Sequence, residues 1–144
     1  ISTDAGRIQV WVLEDHRVRV DMGIPKIEST RPEKIRTSHG EFDFWQVDMG
    51  NPHAVIFVDD VQQVRLDSVG PEIENDARFP NRTNVEFVQA TSQGLKVRVW
   101  ERGAGATLAC GTGACAVAAA AMDQKKVGAK TKVYLPGGTL ELEW

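Results

Sequence analysis

A cysteine followed at once by a glycine-rich turn is the feature of this sequence best suited to chemistry. Cys110 precedes Gly111-Thr112-Gly113, and the alanine-rich run Ala114 to Met122 follows. Alanine has the highest helix propensity, so this run predicts a helix that starts beside the cysteine. A thiol at a helix start faces unpaired N–H groups and the positive end of the helix dipole, which lower its pKa. The same groups can bind an anion such as a carboxylate.

Two other interpretations of these residues stay open. Cys110 could be a small buried side chain in a tight turn, as a lone cysteine usually is. The glycines favour a ligand site instead, because they allow close approach to the backbone. Residues 111–116 also fit the G-x-G-x-x-A form of a dinucleotide-binding fingerprint. That fingerprint needs a strand directly before it and βαβ alternation, whereas hairpins are predicted on both sides here. We therefore favour a carboxylate as the anion.

A thiol at this place suits proton transfer at an α-carbon. Inverting such a carbon requires acid/base groups on both of its faces. Without a pyridoxal cofactor, the carbanion must be stabilised by hydrogen bonds and dipoles near its carboxylate. Cys110 would supply one of the two groups. Cys115 lies deeper in the same predicted helix, rotated by about 140° from Cys110, so we expect it to pack in the core rather than form a disulfide.

Composition places the chain among ordinary globular proteins. Its 144 residues suffice for one domain with its own core. A net charge of −3 and a pI near 5.6 give no reason to expect nucleic acid or a membrane surface as a partner. Free thiols fit a reducing cytosol, and residues 1–6 lack the apolar segment of a signal peptide. We therefore expect a cytoplasmic location.

Alternating hydrophobicity predicts about eight short strands, mostly antiparallel and paired as hairpins. The predicted helix has no polar face, so it must be enclosed by the strands. This combination predicts an α+β fold in which a barrel or roll surrounds one central helix. A short helix is predicted after Asp59 or Asp60. Residues 22–37 are predicted as loop, and residues 69–82 as a loop-rich stretch that can include one helical turn. The predicted strands are residues 7–13, 16–22, 44–49, 54–58, 84–89, 95–100, 130–135 and 139–144.

Several motifs together resemble one enzyme family. The run ERGAGATLACGTGACA, residues 101–116, resembles the second active-site motif of the diaminopimelate epimerases. Residues 48–53 (DMGNPH) and 80–87 (PNRTNVEF) are similar to two further family elements, and residues 21–23 and 135–138 also match. The resemblance extends in order over nearly the whole chain. It implies one domain, residues 1–144, that corresponds to the second half of a two-domain enzyme, with the first half absent.

The resemblance implies roles for three catalytic residues. Cys110 would be one of two acid/base thiols, Glu101 would tune a thiol and contact the substrate, and His53 would tune the thiol from the missing half. It also implies five further residues that bind substrate. Thr112 and Gly111 would hold the α-carboxylate, Arg102 would offer a planar fork to a carboxylate, and the distal amino-acid group would bind Asn51 and Asn84.

The implied activity is the interconversion of LL- and meso-2,6-diaminopimelate in lysine and peptidoglycan precursor biosynthesis. It would proceed without metal, flavin or pyridoxal phosphate, in an enzyme that forms a homodimer when complete. Because the second thiol lies in the missing half, we expect this chain alone to be inactive. The alternatives are another racemase of the same fold group, such as a proline or hydroxyproline racemase, or a non-catalytic ligand-binding domain. The racemase alternative leaves no purpose for a second amino-acid pocket formed by Asn51, Asn84 and Arg102. The non-catalytic alternative differs in thiol reactivity, because an activated Cys110 should alkylate well below pH 8.5 and be slowed by diaminopimelate.

Simpler readings exist for single residues. Glu101 and Arg102 could form a surface ion pair, which contributes little. His53 could be a turn histidine, and Asn84 could open a strand with an Asx turn. Ala106 stands where the family usually has glutamate, which puts the hydrogen bonding of the glycine loop in doubt. His16 and His39 have no motif around them and are predicted to lie on the surface.

Overall fold

Strands dominate the computed structural model, which describes residues 1–3 and 6–144. Asp4 and Ala5, part of the segment assessed above for a signal peptide, lie outside the described residues. Within the described ranges the elements are β1 Ser2–Thr3, β2 Gly6–Arg7, β3 Val10–Val12, β4 Val18–Val20, β5 Lys26–Ile27, β6 Glu33–Thr37, β7 Gly40–Asp48, β8 Pro52–Phe57, a 3-10 turn Val61–Gln63, α1 Leu66–Glu74, β9 Asn84–Thr91, β10 Gly94–Glu101, β11 Gly105–Thr107, α2 Gly111–Asp123, β12 Lys130–Leu135 and β13 Gly138–Glu143.

One nine-stranded sheet forms the body of the domain. Its order is β13-β12-β10-β9-β8-β7-β5, with β11 paired to β10 and β6 paired to β7. Most pairings are antiparallel, but β8 runs parallel to β9 and β10 runs parallel to β12. The pairs β1-β2 and β3-β4 form separate two-stranded sheets. The fold is thus mostly strand, as predicted.

The two helices have separate cores. Helix α2 packs against six strands of the curled sheet, and its small side chains let the strands approach closely. Among its buried neighbours are Val47, Val88, Val97 and Val133. Helix α1 contributes to a second cluster that includes Phe44, Phe79 and Phe87. No helix of the described residues has the length and apolar character that crossing a membrane requires.

The predicted alanine-rich helix and three hairpins are observed, but the predicted arrangement of one central helix and about eight strands is not confirmed. Residues 22–37 were predicted as loop and contain β5 and β6. The predicted loop 69–82 contains most of α1, which holds Pro71 inside it. Proline normally disfavours a helix interior. Here Val69 and Ile73 are fully buried against the sheet, and we attribute the helix to that packing.

Candidate active site

The predicted site residues meet where neighbouring central strands of the sheet begin or end. The parallel strands β8 and β9 both begin there, with His53 opposite Asn84 in the ladder. Strand β10 is antiparallel to β9 and therefore ends, at Glu101, near the point where β9 begins. Helix α2 begins nearby at Gly111. The topology thus brings together residues that are far apart in sequence.

Cys110 is the N-cap residue of α2. Its backbone is extended, and its Sγ accepts a hydrogen bond from the Gly113 N–H at 3.3 Å. The Thr112 Oγ1 lies 3.6 Å from the same sulfur. The thiol is half-buried, while Gly111 beside it is exposed. The expected position at a helix start is therefore observed, with room beside it for a ligand.

The effect of this position on the thiol differs from the expectation. Burial raises the pKa of Cys110, and this outweighs the hydrogen bonds from Thr112 and Gly113, which lower the pKa. Negative charge on Glu86 or Glu101 raises it further. In this domain the thiol thus keeps its proton at neutral pH. We had expected the helix terminus to lower the pKa, but desolvation is the larger effect.

A chain of side chains leads from the sulfur into the interior. The Asn51 Nδ2 donates to the Thr112 Oγ1 at 3.3 Å, and the Asn51 Oδ1 lies 3.0 Å from His53 Nε2. The other ring nitrogen, Nδ1, lies 2.7 Å from Glu86 Oε1. His53 and Glu86 are both fully buried. His53 is therefore held from both sides and is not a simple turn histidine.

Gly113 allows Glu86 and Cys110 to come so close. A Cβ at this position would lie 2.7 Å from Glu86 Oε1 and 3.1 Å from Cys110 Sγ. Both distances are shorter than a normal van der Waals contact. The second glycine of the turn is thus required for packing around the site.

Asn84 links the strands instead of forming a local turn. Its Nδ2 donates to the Pro52 carbonyl at 3.0 Å, and its Oδ1 accepts the Arg102 N–H at 2.8 Å. The Arg102 side chain is exposed, and its guanidinium donates to the Asn81 carbonyl at 3.3 Å. Glu101 Oε1 accepts a hydrogen bond from Thr107 Oγ1 at 2.7 Å. Glu101 and Arg102 thus do not form an ion pair with each other, because each side chain bonds to another partner.

The glycine loop after Glu101 is fixed by a residue that the sequence reasoning did not consider. Glu74, at the end of α1, accepts the Gly103 N–H at 2.7 Å and the Trp100 indole N–H at 2.8 Å. The Arg82 guanidinium donates to the same carboxylate at 3.2 Å. Ala106, in place of the family's usual glutamate, is exposed in β11. Glu74 therefore supports the loop even though Ala106 has no polar side chain.

Cys115 lies on another side of α2. It is half-buried and lines a cavity of about 1070 Å³ between the β3-β4 hairpin, α2 and β13. Burial raises its pKa to about 11. Its expected place in the core is thus only partly observed, since one side of it faces this cavity. The cavity does not include Cys110.

Sequence comparison identifies the family. A model of the family described as "Diaminopimelate epimerase" matches residues 45–144. The chain belongs to the diaminopimelate epimerase family. The diaminopimelate epimerase of Phocaeicola vulgatus is 49% identical over 140 residues, which cover 88% of this chain and 49% of that protein. That of Carboxydothermus hydrogenoformans is 46% identical and covers 100% of this chain and 57% of that protein. The chain thus spans about half the length of the curated diaminopimelate epimerases it matches.

Solved structures agree on the fold. A hydroxyproline epimerase from Agrobacterium vitis superposes with a TM-score of 0.73 at 18% identity, over 97% of this chain and 48% of that protein. A probable proline racemase from Agrobacterium radiobacter gives a TM-score of 0.71 at 17% identity, over 97% and 49%. At such identities the likeness concerns the fold alone. It agrees with the curled, mostly antiparallel sheet described above.

Sequence reasoning missed Glu86 and Glu74 as parts of the site's framework. Glu86 had a visible signal, because it is a glutamate between Val85 and Phe87. Glu74 had none, because its segment was predicted as loop. Among the described residues no three His, Cys, Asp or Glu side chains are grouped so as to hold a metal ion.

Proposed function

We propose that this chain is the substrate-binding and thiol-bearing half of an enzyme that epimerises 2,6-diaminopimelate between its LL and meso forms. The observation that carries the proposal is the capping thiol of Cys110 beside an exposed helix start. Family membership supports the substrate class. The second half of the enzyme, absent from this chain, would supply the opposing acid/base group.

The proposed reaction needs one proton to leave and one to arrive. The opposing group removes the α-proton from one face of the substrate, and the Cys110 thiol donates its proton to the other face. Burial raises the pKa of Cys110, which suits it to this donor role in the resting state. In the reverse direction the two groups exchange roles. The chain alone is proposed to be inactive, because a single thiol can serve only one face.

The α-carboxylate is proposed to bind at the start of α2. Backbone N–H groups of Gly111 and Thr112 point away from the helix there, and an anion is stabilised by them and by the helix dipole. These donors also stabilise the carbanion, whose charge spreads into the carboxylate. Arg102 is exposed and close to Asn84, so its guanidinium is a candidate for the second carboxylate.

The remaining predictions about the complete enzyme are proposals of the same kind. We propose that Asn51 and Asn84 contribute to the distal amino-acid site, and that no metal, flavin or pyridoxal phosphate takes part. We propose a homodimer of the full-length protein, a sheet that closes further around α2, and a cytoplasmic location.

Solvent isotope incorporation tests the function. The full-length protein is incubated with LL-diaminopimelate in deuterium oxide. The stereoisomers are then separated, and their deuterium content is measured by mass spectrometry. We expect meso product with deuterium at one α-carbon. Proline and hydroxyproline serve as alternative substrates, and turnover of either of them instead would favour the racemase alternative. Absence of exchange with all three would favour the ligand-binding alternative.

A further inference from the structure

Two buried glutamates in this domain are satisfied in very different ways. Each carboxylate oxygen of Glu74 accepts at least one hydrogen bond, from a backbone N–H, an indole and a guanidinium. Glu86 is fully buried, and its Oε1 contacts only the His53 ring among the hydrogen bonds described. Within residues 1–3 and 6–144, Glu86 Oε2 has no hydrogen-bond partner. Glu86 therefore lacks the hydrogen-bond donors that surround the Glu74 carboxylate.

Burying an ionised carboxylate oxygen without a hydrogen-bond donor has a large free-energy cost, whereas burying an unpaired neutral carbonyl costs much less. The titratable groups that face Glu86 are His53 from β8, Glu101 from the end of β10 and Cys110 from the start of α2. Burial raises the pKa of Glu86, and negative charge on Glu101 adds to this, while His53 opposes it. The surroundings of Glu86 therefore favour the neutral acid over the carboxylate.

We propose that Glu86 is a positioning residue that keeps its proton and thereby aims a chain of four hydrogen bonds at the Cys110 sulfur. A protonated Glu86 donates from Oε1 to His53 Nδ1, so the neutral ring carries its hydrogen on Nε2. That hydrogen is donated to Asn51 Oδ1, which leaves the Asn51 Nδ2 to donate to Thr112 Oγ1. The Thr112 hydroxyl, having accepted, is free to donate to the sulfur.

The series of hydrogen bonds has a direction, because each side chain between Glu86 and Cys110 accepts one hydrogen bond and donates another. If Glu86 were ionised beside a neutral His53, it would accept from the Nδ1–H, and the bare Nε2 would then need a donor. Asn51 would turn its amide, and Thr112 would donate to Asn51 instead of the sulfur. An ionised Glu86 would also place a negative charge beside Cys110. The protonated form of Glu86 thus favours a Cys110 thiolate on two counts.

This inference rests on the proposed function only for its effect on turnover. The tautomer of His53 can be read without any substrate, by long-range proton–nitrogen NMR of the 144-residue chain labelled on histidine. We expect His53 to be neutral with hydrogen on Nε2 at pH 7. The exposed His16 and His39 are internal references in the same spectrum.

Three variants decide the point. Glu86→Gln provides a permanent N–H donor of nearly the same shape, so His53 should keep the same tautomer. Glu86→Met removes the donor, and His53 should then lose its single Nε2–H form. Glu74→Gln removes the other buried carboxylate and should leave the His53 spectrum unchanged. A His53 that is doubly protonated, or protonated on Nδ1, in the unsubstituted chain overturns the proposal, as does a change of His53 in Glu74→Gln.

The rate of cysteine alkylation reports on Cys110, the last member of the hydrogen-bond chain. At pH 8 the Cys110 rate in Glu86→Gln should stay near that of the unsubstituted chain. In Glu86→Met it should fall about tenfold, the factor expected when a hydrogen bond to a charged atom weakens. Equal losses in both variants would indicate a purely structural role and overturn the proposal.

Turnover of the full-length protein separates this inference from the proposed function. We expect Glu86→Met to lower kcat with little change in KM. Glu86→Gln should retain kcat. A protein that shows the expected His53 tautomers and alkylation but no epimerisation would refute the proposed function and leave this inference standing.

Discussion

The two cysteines of α2 are five positions apart and have opposite surroundings. Cys110 caps the helix, accepts the Gly113 N–H and lies beside the polar chain of Thr112 and Asn51. Cys115 is raised in pKa by burial and by its neighbour Cys110, with no hydrogen bond contributing. The Cys110 thiol thus has hydrogen-bond donors, whereas the Cys115 thiol is half-buried at the wall of the cavity. The difference shows that helix position, more than residue type, decides which cysteine can exchange protons.

Replacing each cysteine by alanine gives the largest expected difference. Cys110→Ala in the full-length protein should lower kcat by about 10³-fold, in the middle of the range for a lost acid/base group. The kcat of Cys115→Ala should stay within about threefold of that of the unsubstituted protein, because truncating a half-buried side chain away from the site has a mild effect. Stereoisomer interconversion with diaminopimelate is the assay. Comparable losses in both variants would remove the distinction between the two thiols.

The two glycines of the turn provide a matched pair of substitutions. Gly113→Ala should destabilise the domain by about 1–3 kcal/mol, because its Cβ would lie 2.7 Å from Glu86 Oε1 and 3.1 Å from Cys110 Sγ. Gly111→Ala on the same helix meets only the Met22 Cε at 4.0 Å, so it should be neutral or slightly stabilising. Urea unfolding of the 144-residue chain measures both. A stable Gly113→Ala would mean that Glu86 and Cys110 are not in close contact.

The part of this comparison that could be predicted from sequence is local. Alanine propensity and the absence of a polar face predicted both the helix and its enclosure, and the cysteine before the glycines predicted the cap. Hairpins 84–101 and 130–143 followed from alternation and turn residues. These features depend on residues that are close together in the chain, which is where sequence patterns carry information.

What could not be predicted depends on contacts between distant segments. Pro71 suggested a break, and only the burial of Val69 and Ile73 against the sheet shows why α1 forms. Glu86 bonds to His53 of β8 and lies close to Gly113 of α2, and no local pattern relates these elements to β9. The pKa of Cys110 was misjudged for the same reason, because desolvation is set by the whole domain and not by the helix terminus.

Alkylation as a function of pH tests the electrostatic difference directly. Burial raises the pKa of Cys110, but two hydrogen bonds lower it, whereas the pKa of Cys115 is raised to about 11. At pH 8.5 Cys110 should therefore react at least about tenfold faster than Cys115, since only the thiolate is nucleophilic. The Cys110 rate should still increase above pH 9. Mass spectrometry of peptides gives both rates in one sample, and a faster Cys115 would contradict the comparison.

The smallest expected effect concerns stability at alkaline pH. The pKa of Cys115 is about 11 in the folded chain, above the value of about 8.5 for a free thiol in the unfolded chain. A group with a raised folded pKa stabilises the fold fully below its unfolded pKa, and this contribution is lost as pH rises toward the folded pKa. The two pKa values alone would give about 2 kcal/mol between pH 8 and pH 10.5, and solvent screening at this half-buried thiol reduces the effect. The free energy of unfolding should therefore fall by about 1 kcal/mol more in the unsubstituted chain than in Cys115→Ala over this interval. All other titrating groups are common to both proteins and cancel in the difference. Parallel pH profiles would mean that Cys115 is as well solvated in the folded chain as in the unfolded one.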